Sequence, residues 1–319
     1  MKKILAADIG GTNSRFAYFE IDTKGVLALS ETHWLKTRDA SSFADLLGNL
    51  KESSFSLDPE DADVTVFAVA GPIEDGVRSS PPFISWKIDI SHACKDAGVR
   101  CPFLINDFVA QAYACRTPVG TSAKQILPGE IKPDAPSAVI GAGTGLGKAA
   151  LVPDGKGGYY AVPSEGGHAD FPCESEREFD FYRFMIAKLG DTYLTGNRVV
   201  SGTGLSLIHE FLTGDRLNPD QITGRLRDFP DTVDWASRFY GRVCRNYALE
   251  TLSLGGLYIA GGVAARNPEL IQRTAFRKEF RCSDTLTHIL DKIPVFLITD
   301  QNSGLWGAAQ FGLQKLKEQ

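Results

Sequence analysis

Three glycine-rich stretches carry most of the chemistry legible in this chain. Asp8-Ile9-Gly10-Gly11-Thr12-Asn13, Gly141-Ala142-Gly143-Thr144-Gly145-Leu146-Gly147 and Gly261-Gly262 each close or follow a short apolar run. A residue without a Cβ lets backbone N–H groups approach an anion closely, so such turns suit phosphate oxygens. Thr12 and Thr144 occupy equivalent places in the first two turns and add hydroxyl donors. Asp8 adds the carboxylate that a Mg²⁺ site needs. A glycine pair is also a common hairpin former, and Gly10-Gly11 taken alone reads as well that way.

Two further clusters are polar. Asn106-Asp107 ends the apolar run Phe103-Leu104-Ile105. Asp107 there is a candidate general base, with partial burial raising its pKa toward the working range. The same pair reads equally as the cap of a helix from Phe108 to about Cys115. Glu165-Gly166-Gly167-His168 offers a carboxylate, amides and an imidazole, a set suited to a ligand rich in hydroxyls. The alternative for His168 is a loop histidine bonded to backbone.

Other nucleotide motifs fail on specific residues. A P-loop, Gly-x-x-x-x-Gly-Lys followed by Ser or Thr, needs glycine and a hydroxyl where Gly147-Lys148 is flanked by Ala142 and Ala149. Gly145 to Ala150 matches the looser dinucleotide fingerprint, with Glu165 beyond it, but the residues after these glycines read as a strand where that site needs a helix.

The elements that must position these groups alternate. Strands are expected at Ile4–Ile9, Ser14–Ile21, Val26–Leu35, Val64–Ala70, Phe103–Ile105, Ala138–Ile140, Ala149–Val152, Leu257–Ala260 and Val295–Ile298. Helical periods run from Ser42 to Leu50, from about Ser91, from Glu176 to Lys188, from Trp235 to Leu252 and from Gly304 to Lys315. The strand, glycine turn, strand pattern at the start returns near Ser137, an internal echo that suggests two related α/β halves.

Composition bounds the rest. The 319 residues exceed one ordinary small domain, and 43% hydrophobic with 23% charged residues is ordinary for a globular chain with a substantial core. A net charge of −5 without a basic stripe argues against nucleic acid as partner. The apolar run after Lys2-Lys3 is too short for a signal peptide, and none is long enough to span a membrane, so a cytoplasmic protein is expected. Cys94, Cys101, Cys115, Cys173, Cys244 and Cys282 form no Cys-x-x-Cys pair, so reduced, mostly buried thiols without structural zinc are expected.

Asp8 to Asn13 resembles the first phosphate motif of the sugar kinase, actin and Hsp70 superfamily, Gly141 to Gly147 its second, and Ile259-Ala260-Gly261-Gly262-Val263 its adenosine motif. Ile105-Asn106-Asp107-Phe108 and Glu165-Gly166-Gly167-His168-Ala169-Asp170-Phe171 narrow the resemblance to the bacterial-type glucokinases, over the length of the chain. The resemblance implies a two-lobed, actin-like (ribonuclease H-like) α/β fold with a cleft, divided as 1–115 plus 304–319 and 116–303. It implies ATP and Mg²⁺ as cofactors, glucose phosphorylated at its 6-hydroxyl, closure of the lobes on sugar, and a homodimer. Asp107 would then be the base, and Asn106, Glu165 and His168 would hold the sugar. Asp8 would orient Mg²⁺; Ile9 to Asn13 and Gly143 to Gly145 would hold phosphates; Gly261 and Gly262 would face the adenosine. Asn197 stands before Arg198-Val199-Val200-Ser201-Gly202, where related glucokinases often carry a glutamate, so its sugar contact would be uncharged. Another hexose, or a catalytically silent sugar-binding regulator, are the alternatives.

Overall fold

Strands covered on both faces read as continuous apolar runs, whereas an edge strand alternates. The first sheet shows both. β1 (Lys2–Ile9) is buried from Ile4 to Ala7, and β2 (Asn13–Ile21) pairs with it antiparallel. β3 (Leu27–Lys36) exposes every second residue over most of its length, and β4 (Val64–Val69) is buried throughout. A small ribbon comes next, β5 (Arg78–Ser79) with β6 (Ile88–Asp89), and then β7 (Pro102–Asn106). The five-stranded order is β3-β2-β1-β4-β7, with β1, β4 and β7 parallel.

The computed structural model describes residues 2–318 and falls into two compact units, 1–122 with 300–319, and 123–299. The divisions lie a few residues from those expected at 115/116 and 303/304. Hydrogen bonds from Arg116, Thr117 and Gly120 back to Tyr113, Ala114 and Thr117 continue the turn after α3 (Asp107–Ala114) into α4 (Pro118–Thr121). That continuity keeps the segment with the first unit. α1 (Phe43–Lys51) begins where Ser42 accepts from the Asp45 N–H, and α2 (Ile90–Asp96) where Asp89 accepts from the Ser91 N–H.

The second unit repeats the sheet. β8 (Lys124–Leu127), β9 (Ser137–Ala142), β10 (Leu146–Pro153), β11 (Tyr159–Ser164), β12 (Leu257–Ala260) and β13 (Val295–Leu297) lie in the order β11-β10-β9-β12-β13-β8. β9 is antiparallel to β10 and parallel to β12, as β1 is to β2 and β4. The echo is therefore one of topology, with β8 as an added edge. The threonines do not share a loop position, however. Thr12 is third of the four residues between paired Ile9 and Ser14, and Thr144 is second of the three between Ala142 and Leu146.

Sequence periodicity missed β8 and β11, and placed the start of the long helix late. Pro230 supplies the first turn of that helix, Pro230–Thr251, which no apolar period announces. The helix Ser303–Glu318 returns to the first unit. A Cβ on its Gly312 would lie 3.2 Å from Ile4, Val64 and Val66 side chains, and one on Gly307 would lie 1.7 Å from the Ala110 carbonyl oxygen of α3. That second contact is backbone against backbone and cannot yield cheaply. Gly307→Ala is expected to lower stability by about 3 kcal/mol, read as a shift in urea midpoint. A midpoint unchanged from wild type would show that the two helices separate freely.

Candidate active site

In the first unit the parallel strands bring three segments to their shared carboxyl ends. β1 ends in Asp8-Ile9 before the glycine turn, β4 in Val69 before Ala70-Gly71, and β7 in Asn106. The turn is fastened from outside. Gly10 donates to the Asn13 carbonyl at 3.1 Å, Thr37 Oγ1 donates to the Gly10 carbonyl at 2.6 Å, and the buried Ser14 hydroxyl lies 2.8 Å from Thr37 Oγ1. The Thr37 N–H adds a bond to the Thr12 carbonyl at 3.1 Å. Thr12 and Asn13 stay exposed. Sequence alone hides Thr37, because it reaches the turn only through the pairing of β2 with β3.

Asp8 is half-buried and its Oδ2 accepts from the Arg15 guanidinium, which also donates to the Gln301 carbonyl and lies 5.4 Å from the Trp34 ring centre. Arg15 is a residue that the motif reading overlooked. No group of three or more His, Cys, Asp or Glu side chains gathers among the described residues. A single carboxylate fits Mg²⁺, which uses one or two protein carboxylates, phosphate oxygens and water.

Asn106 is the helix cap that its sequence context allowed. Its Oδ1 accepts from the Phe108 N–H at 2.9 Å and the Val109 N–H at 3.3 Å, and its Nδ2 donates to the Gly71 carbonyl at 3.0 Å. One amide proton is left for a ligand. Asp107, half-buried, opens α3, and its Oδ1 accepts from the Phe108 N–H at 3.0 Å. Asn106 fixes the helix end, and Asp107 is carried on its first turn.

In the second unit Asn197 joins two of the expected segments. Its Oδ1 accepts from the Leu146 N–H at 2.6 Å, closing the turn Gly143–Gly145, in which Gly143 donates to the Gly145 carbonyl at 2.8 Å. A Cβ on Gly167 would lie 2.0 Å from the Leu146 carbonyl oxygen and 2.4 Å from Asn197 Oδ1. Gly167 therefore lets the Glu165–His168 segment lie directly against the end of this turn. Asn197 is a structural pin whose Nδ2 remains for a ligand. Thr144 is exposed. Gly261, at φ +87°, turns β12 beside the Ala142 carbonyl, and Gly262 begins the short helix Gly262–Arg266.

Glu165 and His168 side chains are 56% and 69% exposed, with His168 Nε2 3.9 Å from Glu165 Oε2, beyond hydrogen-bond reach. Both polar tips are open. Lys148 is not a phosphate-reaching lysine of the P-loop kind. It is buried, with Nζ 5.1 Å from the centre of the Tyr247 ring, and burial lowers its pKa from the ordinary lysine value.

The first sheet and its repeat, each ending in a glycine turn, have the two-domain, actin-like ATPase architecture. Comparison with known proteins agrees. A glucokinase family model matches residues 5–315. The glucokinase of Pectobacterium atrosepticum is 32% identical, with 98% of each chain covered. That of Nostoc punctiforme is 30% identical over 97% of this chain and 98% of its own. The crystal structure of a glucokinase from an Antarctic psychrotroph superposes with a TM-score of 0.85 at 25% identity, covering 99% of both chains. The chain belongs to the glucokinase family.

The buried Lys148 yields a test of this interior. With its folded pKa below 10.5, the unfolded chain holds more protons in that window, so the lysine's contribution to stability rises with pH. Unfolding free energies of Lys148→Met and wild type, measured from about pH 7 to about pH 10, are expected to change in the wild type's favour as pH rises. A difference independent of pH would mean that the ammonium is fully hydrated.

Proposed function

We propose that this chain moves the terminal phosphoryl group of ATP to the 6-hydroxyl of glucose, with Asp107 as general base. The observation that carries the reading is the placement of Asp107 at the carboxyl end of β7, parallel in the same sheet to β1, which ends in Asp8-Ile9 before the Gly10–Asn13 turn. Phosphoryl transfer asks a protein for alignment, charge neutralisation and an acceptor for the hydroxyl proton. The Asp107 carboxylate takes that proton as the sugar oxygen bonds to phosphorus and the bond to the bridging oxygen of ADP breaks; the proton then leaves to water.

Asn106 offers its spare amide proton to the sugar, and Glu165, His168 and Asn197 Nδ2 hold further hydroxyls. Ile9 to Asn13 and Gly143 to Gly145 serve the phosphates through backbone N–H and threonine hydroxyls, and Gly261-Gly262 the adenosine. Asp8, whose Oδ2 pairs with Arg15, would hold Mg²⁺, which would supply neutralisation of phosphate charge. Six free thiols, Cys94, Cys115 and Cys244 buried, Cys173 half-buried and Cys101 and Cys282 exposed, fit a reducing cytosol, and a homodimer is the family expectation. Among the described residues no helix is long and apolar enough to cross a membrane.

Coupled ADP release with ATP, Mg²⁺ and a panel of hexoses is the test. Turnover strongest with glucose, and lowered by roughly 10²- to 10⁴-fold in Asp107→Ala, is expected. A stronger response to another hexose would reassign the substrate. Sugar binding without any sugar-dependent turnover would point to a silent binding protein instead.

A further inference from the structure

The second unit holds a charge cluster far more enclosed than anything in the glycine turns. Arg242, in the middle of the helix Pro230–Thr251, is 1% exposed and makes contacts in four directions. Nη1 donates to Glu178 Oε2 at 2.6 Å and to the Pro172 carbonyl at 2.9 Å, Nε to Glu279 Oε1 at 2.7 Å, and Nη2 lies 3.0 Å from Glu174 Oε2. Arg238 and Arg245, on the same helix face, reach Glu178 at 2.8 Å and Glu174 at 2.9 Å. Three guanidiniums thus meet three carboxylates. Burial pushes the Glu178 carboxyl up, but the Arg242 hydrogen bonds, the Glu174 N–H and the charges of Arg242 and Arg238 together outweigh it and hold the group below the ordinary carboxylate range.

Enclosed ion pairs are weak evidence of stability, since apolar side chains of like volume often serve as well. What this cluster supplies is a fixed place for one strip of backbone. Pro172 comes directly after Glu165–Phe171. The Phe171 ring lies 5.7 Å from the Arg242 guanidinium and 5.0 Å from the Phe239 ring. The Phe171 N–H donates to the Leu194 carbonyl at 2.7 Å, and the Gly196 N–H to the Ala169 carbonyl at 3.2 Å. His168 lies just before this strip, and Asn197 just after its partner.

We propose that Arg242 is a positioning residue for sugar recognition. It clamps Phe171-Pro172, and through the two backbone bonds to Leu194–Gly196 it sets the register of His168 against Asn197. The inference rests on reading those two residues as sugar ligands. Lysine at this position keeps the charge but cannot fork to several acceptors.

The test is steady-state kinetics of wild type, Arg242→Lys, Glu279→Gln and Glu174→Gln with sugar and ATP varied separately. For Arg242→Lys a KM for sugar raised roughly tenfold to a hundredfold, with the KM for ATP within about twofold of wild type, is expected. Smaller rises for sugar alone are expected for the two glutamine variants, which keep a hydrogen-bond acceptor. Equal changes in both KM values, or an unchanged sugar KM in a folded variant, would overturn the proposal. If Arg242→Lys does not fold, Glu174→Gln decides, because Glu174 is 44% exposed and touches both Arg242 and Arg245. A wild type that turns over no sugar would overturn this proposal together with the kinase reading, and is told apart because it needs no variant.

Discussion

Backbone lies against backbone where this molecule does its positioning. The Glu165–His168 segment lies against the end of the Gly143–Gly145 turn because Gly167 brings nothing between itself and the Leu146 carbonyl, where a Cβ would come to 2.0 Å. The helix Ser303–Glu318 crosses α3 on the same principle, at Gly307. A side chain at either place would force the backbones apart. Packing of this closeness also explains how short loops with few hydrogen bonds of their own hold one shape.

Side-chain polar groups then fasten what the glycines bring close. Thr37 and Ser14 secure the first turn, Asn197 the second, and Asn106 the start of the helix that carries Asp107. In Asn106 and Asn197 the amide oxygen is used for structure, and an Nδ2 proton remains for a ligand. Charge obeys a similar division. The Arg15–Asp8 pair beside the first turn keeps some exposure to water, whereas Arg242, Glu178 and Glu279 at the centre of the second cluster are buried.

Much of this is legible in the amino-acid sequence. Buried strands such as β1, β4, β9 and β12 announce themselves as apolar runs closed by glycine, and Asn106-Asp107 at a strand end reads directly as a helix start. The repeat is visible as a strand, turn, strand echo, and the structure extends it to matching sheet orders. The exceptions have physical causes. β8 and β11 are edge strands, short or studded with exposed residues, and carry no apolar period. Thr37, Arg15 and Arg242 act on residues distant in sequence, so only strand pairing and helix packing disclose them. The threonine correspondence misleads because turns of different length can hold similar residues.

The central claim is transfer of phosphorus from ATP to one particular oxygen of glucose. Phosphorus–proton correlation NMR of the product formed from ATP and glucose tests it without an enzyme couple. A new phosphorus signal coupled to the two protons on the sixth carbon, absent when 6-deoxyglucose is supplied, is the result predicted. Phosphorus coupled to the anomeric proton, or free phosphate with the sugar unchanged, would contradict it.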